Sequence, residues 1–90
     1  GEKSNVQIGT ININNSKIGI ATKDSSILML NNALLKNLKT CVSAYNKKQE
    51  FQGGFIKMKN FNCVNYINEF NIDNLSNVVL NNKKIKKNFN

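Results

Sequence analysis

The chain has 90 residues, enough for one small domain with a thin stability margin. It carries 13 lysines against 5 acidic residues, for a formal net charge of +8, and it contains no Arg, His, Trp or Pro. No apolar run is long enough to cross a membrane. Cys41 and Cys63 lack metal-ligand spacing, and without His a zinc site does not fit, so we expect two buried apolar cysteines, no metal and no cofactor.

The basic charge has two interpretations. The 19 asparagines, like the Ile and Lys residues, are encoded by A/T-rich codons, so a compositional bias of the genome explains much of the excess. The alternative is attraction to an acidic polymer or surface. Nucleic acid fits poorly, because bidentate contacts to phosphate and guanine depend on Arg.

An apolar pattern repeats along the chain at nearly constant spacing. A shift of 22 residues places Val6 on Leu28. A shift of 28 then places Leu28 on Ile56, and a further shift of 22 places Ile56 on Val78. The six extra residues fall within "YNKKQEFQGG", so this stretch is an insertion in an otherwise regular register.

Each unit, taken in chain order, alternates apolar and polar residues with a period of two, which predicts short strands with one buried face. A first corner follows at Gly9-Thr10, Asn31-Asn32, Lys59-Asn60 and Asn81-Asn82. A second corner lies at Asn15, Asn37 and Asn65, and a third strand follows in "IGIAT", "TCVSA" and "NEFNI". Gly and Asn tolerate the positive φ of tight corners.

Three strands per repeat predict an all-β fold, a right-handed parallel β-helix of about four turns with roughly 22 residues per turn and one loop insertion. We expect residues 1–90 to form one domain or the C-terminal fragment of a longer solenoid, with turns near 5–25, 26–54, 55–76 and 77–90 and the insertion at 45–54. Stacked amides would form ladders that satisfy the corners. The predicted ladder residues are Asn15, Asn37, Asn65, Asn32, Asn60 and Asn82.

The predicted inward stacks are Val6/Leu28/Ile56/Val78, Ile8/Leu30/Met58/Leu80, Ile11/Ala33/Phe61/Lys83, Ile13/Leu35/Cys63/Ile85 and Ile20/Val42/Phe70. Lys83 interrupts the third stack, which suits a last turn with a charged tail that blunts strand addition. At the other end we expect Val6, Ile8, Ile11, Ile13 and Ile20 to form an open apolar surface. That surface needs upstream solenoid turns, a partner chain or a second copy.

The insertion is the main candidate for a binding site, because loops on a rigid scaffold often carry function. It would combine aromatic and charged groups at one corner, as in sites that hold sugars. The candidate residues are Lys23, Tyr45, Lys47, Lys48, Glu50 and Phe51. The alternative is that Phe51 packs over the core while the lysines are only solvated.

Three segments, "GEKSNV", "NSKIGIATKDSS" and "AYNKKQEFQGG", resemble the C-terminal right-handed parallel β-helix repeat segment of some bacterial exported and surface proteins, including CotH-kinase-like proteins. The resemblance covers residues 1 to about 55, and Gln52 departs from it where the pattern has glycine directly after Phe. It implies a β-helix fold and an extracellular or cell-envelope location. It implies no catalytic residues.

We therefore expect a non-catalytic structural or binding module of a bacterial surface or exported protein, with an acidic polysaccharide as candidate ligand. One alternative is a fragment of a β-helix enzyme acting on polysaccharide, whose active site lies in missing turns. Another is a structural unit that self-assembles through its open N-terminal end. No catalytic residue is assigned, since no Arg or His completes a site.

Overall fold

The computed structural model describes residues 5–23, 25–45 and 53–86, and its regular elements are all β-strands. The strands are β1 (Asn5–Lys23), β2 (Ile27–Tyr45), β3 (Phe55–Ile72), β4 (Asn77–Leu80) and β5 (Lys83–Lys84). They form one open sheet in chain order, in which β1 to β4 pair in parallel and β5 pairs antiparallel to β4. The all-β prediction is confirmed. A search of the described residues for a helix that could span a membrane finds none.

The pairing register agrees with the repeat found in the sequence. Val6 pairs with Leu28 across β1 and β2, which is a shift of 22. Leu28 pairs with Ile56 across β2 and β3, which is a shift of 28, and Ile56 pairs with Val78, again a shift of 22. A one-residue slip would turn every apolar side chain to the opposite face, so the alternating pattern fixes this register strongly.

Each long strand bends sharply. A straight strand of 19 residues would extend about 63 Å, whereas the longest dimension of the molecule is 34 Å. We place the bends at two sets of positions that the pairing skips: Gly9, Asn31 and Lys59 at the first, and Asn15, Asn37 and Asn65 at the second. After the second bend the β1–β2 pairing also skips Lys17 with Lys39 and Gly19 with Cys41. The three asparagines at the second bend have φ of 59°, 61° and 61°, a conformation that Asn tolerates better than other residues with side chains. We call the parts of each strand before, between and after these bends its first, second and third segments.

The core contains most of the inward columns that the sequence predicts, together with Leu38, Cys41, Ala44 and Ile72, which the predicted columns did not include. Leu30, Leu35, Val42, Ile56, Met58 and Val78 are almost fully buried, and Ile8, Ile11, Ile13, Leu28, Phe61, Phe70 and Leu80 pack against them. Phe61 in the second segment of β3 meets Phe70 in the third, with ring centroids 5.4 Å apart. Two residues nine positions apart would be about 30 Å apart in a straight strand, so the two segments face each other.

The two cysteines are joined, which corrects the expectation that they are simply small apolar side chains. Cys41 is fully buried and forms a disulfide with Cys63, with Cα atoms 6.4 Å apart. Their separation of 22 equals the repeat length, yet they belong to different columns, because β2 and β3 pair with a shift of 28. Cys63 pairs with Leu35, so the bridge crosses the interior from the third segment of β2 to the second segment of β3.

The C-terminal end differs from the prediction. Lys83 and Ile85 were expected to continue inward columns over Phe61 and Cys63. The chain instead reverses after β4, although Ile85 still packs against the core. Asn81 and Asn82 have φ of 51° and 66°, the two positive values that a type I′ hairpin turn requires. Leu80 then pairs with Lys83 in antiparallel β5, and the Ile85 amide donates to the Val78 carbonyl at 2.8 Å. The fourth unit is therefore a short strand and a hairpin.

Gly53 and Gly54 lie at the corner that precedes β3, where neighbouring backbones approach closely. A Cβ at Gly54 would collide with the carbonyl oxygen of Thr22, and one at Gly53 would collide with Ser76. The Gly54 amide donates to the buried Ser76 Oγ at 3.0 Å. These glycines are therefore required by the close packing between successive units.

Candidate functional site

The insertion corner is only partly described. Lys23 and Tyr45 are Cα partners across β1 and β2, as predicted; Lys23 is exposed and Tyr45 is half-buried. Lys47, Lys48, Glu50 and Phe51 lie outside the described residues. The loop site therefore stays a prediction.

The second bend carries a ladder of asparagine side chains. Asn37 Nδ2 donates to Asn15 Oδ1 at 3.1 Å and to Asn14 Oδ1 at 3.1 Å. Asn65 Nδ2 donates to Asn37 Oδ1 at 2.7 Å. Every step has the same polarity, with the amide of the later strand donating to the oxygen of the earlier one. This leaves Asn15 presenting its Nδ2 donor, and Asn65 its Oδ1 acceptor, to the two ends of the sheet.

A second column runs along the first bend. Asn60 Nδ2 donates to Asn32 Oδ1 at 2.9 Å, and Asn32 Nδ2 donates to Thr10 Oγ1 at 3.5 Å. Asn82 was predicted as the next member. It lies instead in the turn that reverses the chain after β4, because that turn begins where the column would continue.

A groove follows this second column, lined both by outward residues and by the inward-facing Phe61 and Leu80. Its volume is about 680 Å³, and it extends from Thr10 past Asn32 and Asn60 to the hairpin turn at Asn81. Leu34 and Phe61 contribute apolar surface, while Lys59 and Lys83 lie at the hairpin end. The groove therefore combines amides and a hydroxyl with apolar patches and two cations.

Four exposed lysines surround the hairpin: Lys57, Lys59, Lys83 and Lys84. Lys57 pairs with Val79, and Val79 pairs with Lys84, so these two lysines share the outer face about 10 Å apart, two strand spacings. We call these four residues the hairpin lysine cluster. The sequence prediction missed it, because residues 57–59 and 83–84 were assigned to turns that stack without a reversal.

The edge formed by β1 is the second candidate surface. Within the described residues, β1 pairs with β2 alone. Val6 is 43% exposed, and Ile8, Ile11 and Ile13 are partly exposed, as expected for an open end. Ile20 was expected to belong to this surface but is only 2% exposed. It lies in the third segment, where the side chains of Leu35 and Leu38 closely approach the backbone of the adjacent Gly19.

Among the described residues no group of three or more His, Cys, Asp or Glu side chains is placed to hold a metal ion. Of the five acidic residues, Glu69 and Asp73 are described; they belong to the third segment of β3 and the corner after it. Comparison of the chain with family models, with curated proteins and with solved structures finds no match in any of the three.

Proposed function

We propose that the strands wind as a right-handed parallel β-helix and that the module has a structural and binding role. Only residues 24–26 connect β1 to β2. Parallel neighbours otherwise need a crossover of about a dozen residues or more, so each bent strand must supply its own return. A right-handed path is the strongly favoured hand for such connections.

The observation that carries this proposal is the contact across the interior between segments of one strand. Phe61 and Phe70 meet within β3, and the Cys41–Cys63 bridge links the corresponding segments of β2 and β3. Together with the constant register, these contacts support a coil whose interior is filled by like residues stacked from turn to turn. Such a scaffold holds its outward side chains in regular rows on an extended surface, which suits binding and attachment more than catalysis.

We place the module in an exported or surface protein of bacterial type, outside the cell or in the cell envelope. The support is the disulfide, since such bonds persist in oxidising compartments, together with the resemblance of residues 1 to about 55 to exported β-helix segments. The test is thiol trapping with a maleimide in whole cells of the source organism, followed by fractionation. We expect the protein in the exported fraction without free thiols. A cytoplasmic protein with both thiols labelled would refute the placement.

Self-association through the β1 edge is a second candidate function. An edge strand with partly exposed apolar residues is a template for another strand. The opposite end is less open, because β4 already pairs with the first segment of β3, and β5 pairs with β4. A second copy adding its β1 there would compete with β4 for the same place. We therefore propose that two copies meet β1 to β1, around a two-fold axis, rather than head to tail.

Light scattering after gel filtration tests this association. We expect twice the chain mass for the native protein and a single chain mass for Val6→Lys, which places a charge on the exposed edge. The matched control is Ile67→Lys, because Ile67 is 73% exposed on β3 at the opposite end. An unchanged dimer in Val6→Lys, or dissociation in Ile67→Lys alone, would refute pairing through β1.

Two further hypotheses rest mainly on residues outside the part of the chain that the structure describes. If the insertion loop holds a glycan, Tyr45→Ala should weaken binding without changing the unfolding temperature. If the chain is a fragment of a polysaccharide-active enzyme, upstream turns should carry Asp, His or Arg clusters on outward strand positions. Sequencing the complete reading frame decides the second hypothesis.

A further inference from the structure

We infer that the groove beside the Thr10–Asn32–Asn60 column binds an acidic polysaccharide, with Lys59 and Lys83 of the hairpin lysine cluster contacting its anionic groups. This deepens the proposed binding role and moves the ligand from the insertion loop to the first bend. It depends on the pairings of β3, β4 and β5, and it would hold whether or not two copies associate through β1.

The hairpin brings together cations that are far apart in the sequence. Lys57 and Lys59 belong to β3, and the reversal at Asn81 and Asn82 brings Lys83 and Lys84 beside them. Because Lys83 pairs with Leu80, it lies on the core-facing side of the sheet, where it reaches the mouth of the groove. A cluster of like charges raises the local concentration of an anionic chain and attracts it from a distance.

The groove offers the other contacts that a sugar chain needs. The Thr10 hydroxyl and the Asn32 and Asn60 amides succeed one another at strand spacing, about 4.8 Å. Each can donate to or accept from a sugar hydroxyl, since amides and hydroxyls do both. Leu34, 47% exposed, provides an apolar surface for the C–H face of a sugar ring. A few placed polar groups within a partly apolar concavity are typical of small-ligand sites.

Nucleic acid fits the same groove less well. The chain has no Arg, the residue best suited to bidentate contacts with phosphate and guanine. Base stacking needs exposed aromatic faces, whereas Phe61, the aromatic residue of the groove, packs its ring against Phe70. The groove therefore favours a hydroxyl-rich anion over one recognised by its bases.

The simplest competing explanation is general attraction by a chain of high positive charge. It predicts that all exposed lysines contribute alike, which provides a matched control. Lys17 and Lys39 are exposed and lie in neighbouring strands at the third segment, outside the groove. Lys59→Gln/Lys83→Gln and Lys17→Gln/Lys39→Gln remove the same number of charges from two different surfaces.

The experiment measures binding of the native chain and both double variants to four immobilised polymers at low and moderate salt. Polygalacturonate carries carboxylates, dextran sulfate carries sulfates, neutral dextran carries neither, and duplex DNA represents nucleic acid. We expect the native chain to bind one or both acidic polysaccharides and to bind neutral dextran far less. Lys59→Gln/Lys83→Gln should bind about tenfold more weakly, or about 1.4 kcal/mol, and Lys17→Gln/Lys39→Gln within about twofold of the native chain.

The two acidic polysaccharides distinguish carboxylate from sulfate recognition, and either result supports the site. Equal weakening in both double variants would overturn it in favour of general charge attraction. Tighter binding to DNA than to both acidic polysaccharides, or no binding to any polymer, would overturn the ligand class. Circular dichroism and the mass of each variant in solution are measured alongside, so that loss of the fold or of self-association is separated from loss of the site.

Discussion

Reduction of the Cys41–Cys63 bridge should remove a large part of the stability of this chain. The bridge closes a loop with a sequence separation of 22 residues. In the chain-entropy model a loop of that length destabilises the unfolded state by about 3.4 kcal/mol at 25 °C. A chain of 90 residues has a total unfolding free energy of roughly 5–13 kcal/mol. The bridge therefore contributes between a quarter and two thirds of the total.

Urea denaturation with and without dithiothreitol measures this contribution. Reduction keeps both sulfur atoms, so it avoids the cavity that substitution would leave at the fully buried Cys41. We expect a lower unfolding midpoint and a steeper dependence on urea, because the reduced unfolded chain is more expanded. In Cys41→Ala/Cys63→Ala, dithiothreitol should have no effect. Native protein whose unfolding free energy changes by less than about 0.5 kcal/mol on reduction would refute the reasoning.

Three further substitutions test the ladder, the corner and the core by urea denaturation. Asn37→Ala should lower the unfolding free energy by about 2–3 kcal/mol, because it removes ladder hydrogen bonds and places Ala at a φ of 61°. Asn37→Gly loses the same hydrogen bonds but tolerates this φ, so it should cost about 1 kcal/mol. Equal losses in the two variants would show that the backbone conformation contributes nothing. Gly54→Ala should cost about 1–3 kcal/mol, because the added Cβ collides with the backbone of Thr22. Gly9→Ala is the control and should be nearly neutral, because the space around Gly9 is open. Similar urea midpoints for the two variants would contradict the close approach at Gly54. Met58→Ala should cost about 2–5 kcal/mol, and a smaller loss would mean that this column is loosely packed.

The sequence predicted the strand register because two signals agree in each repeat. Alternation of period two defines which residues face inward, and a positive-φ asparagine recurs at the same place in each unit. Asn15, Asn37 and Asn65 occupy that place in the structure with nearly identical φ. The register can therefore be predicted from local signals that recur in each repeat, without information about contacts between distant residues.

The disulfide was not predictable in the same way. Cys41 and Cys63 are one nominal repeat apart, which suggests stacking in one column, but the insertion shifts that part of the register to 28. The two residues meet only because the strands bend and bring two segments across the interior. The contact between the two cysteines depends on the angle at which the strands bend, and hydrophobic periodicity carries no information about that angle.

The C-terminal hairpin was missed because its turn uses the same residues as a corner. Asn81-Asn82 aligns with the corner Lys59-Asn60, and asparagine suits both a bend and a type I′ turn. The residues after Asn82 decide which of the two forms, and the lysines there favour an exposed reversal over a further buried turn. The basic groove is a consequence of this reversal, so it too was beyond sequence reasoning.

The most direct test of the parallel coil is a nuclear Overhauser spectrum of the ¹⁵N-labelled native protein. The account predicts cross-strand backbone contacts between residues 22 apart along the whole of β1 and β2, such as Ile8 with Leu30 and Ile20 with Val42. It predicts contacts between residues 28 apart along β2 and β3. Contacts between β1 and β2 in which one residue number rises as the other falls would show antiparallel hairpins, and would contradict the coil.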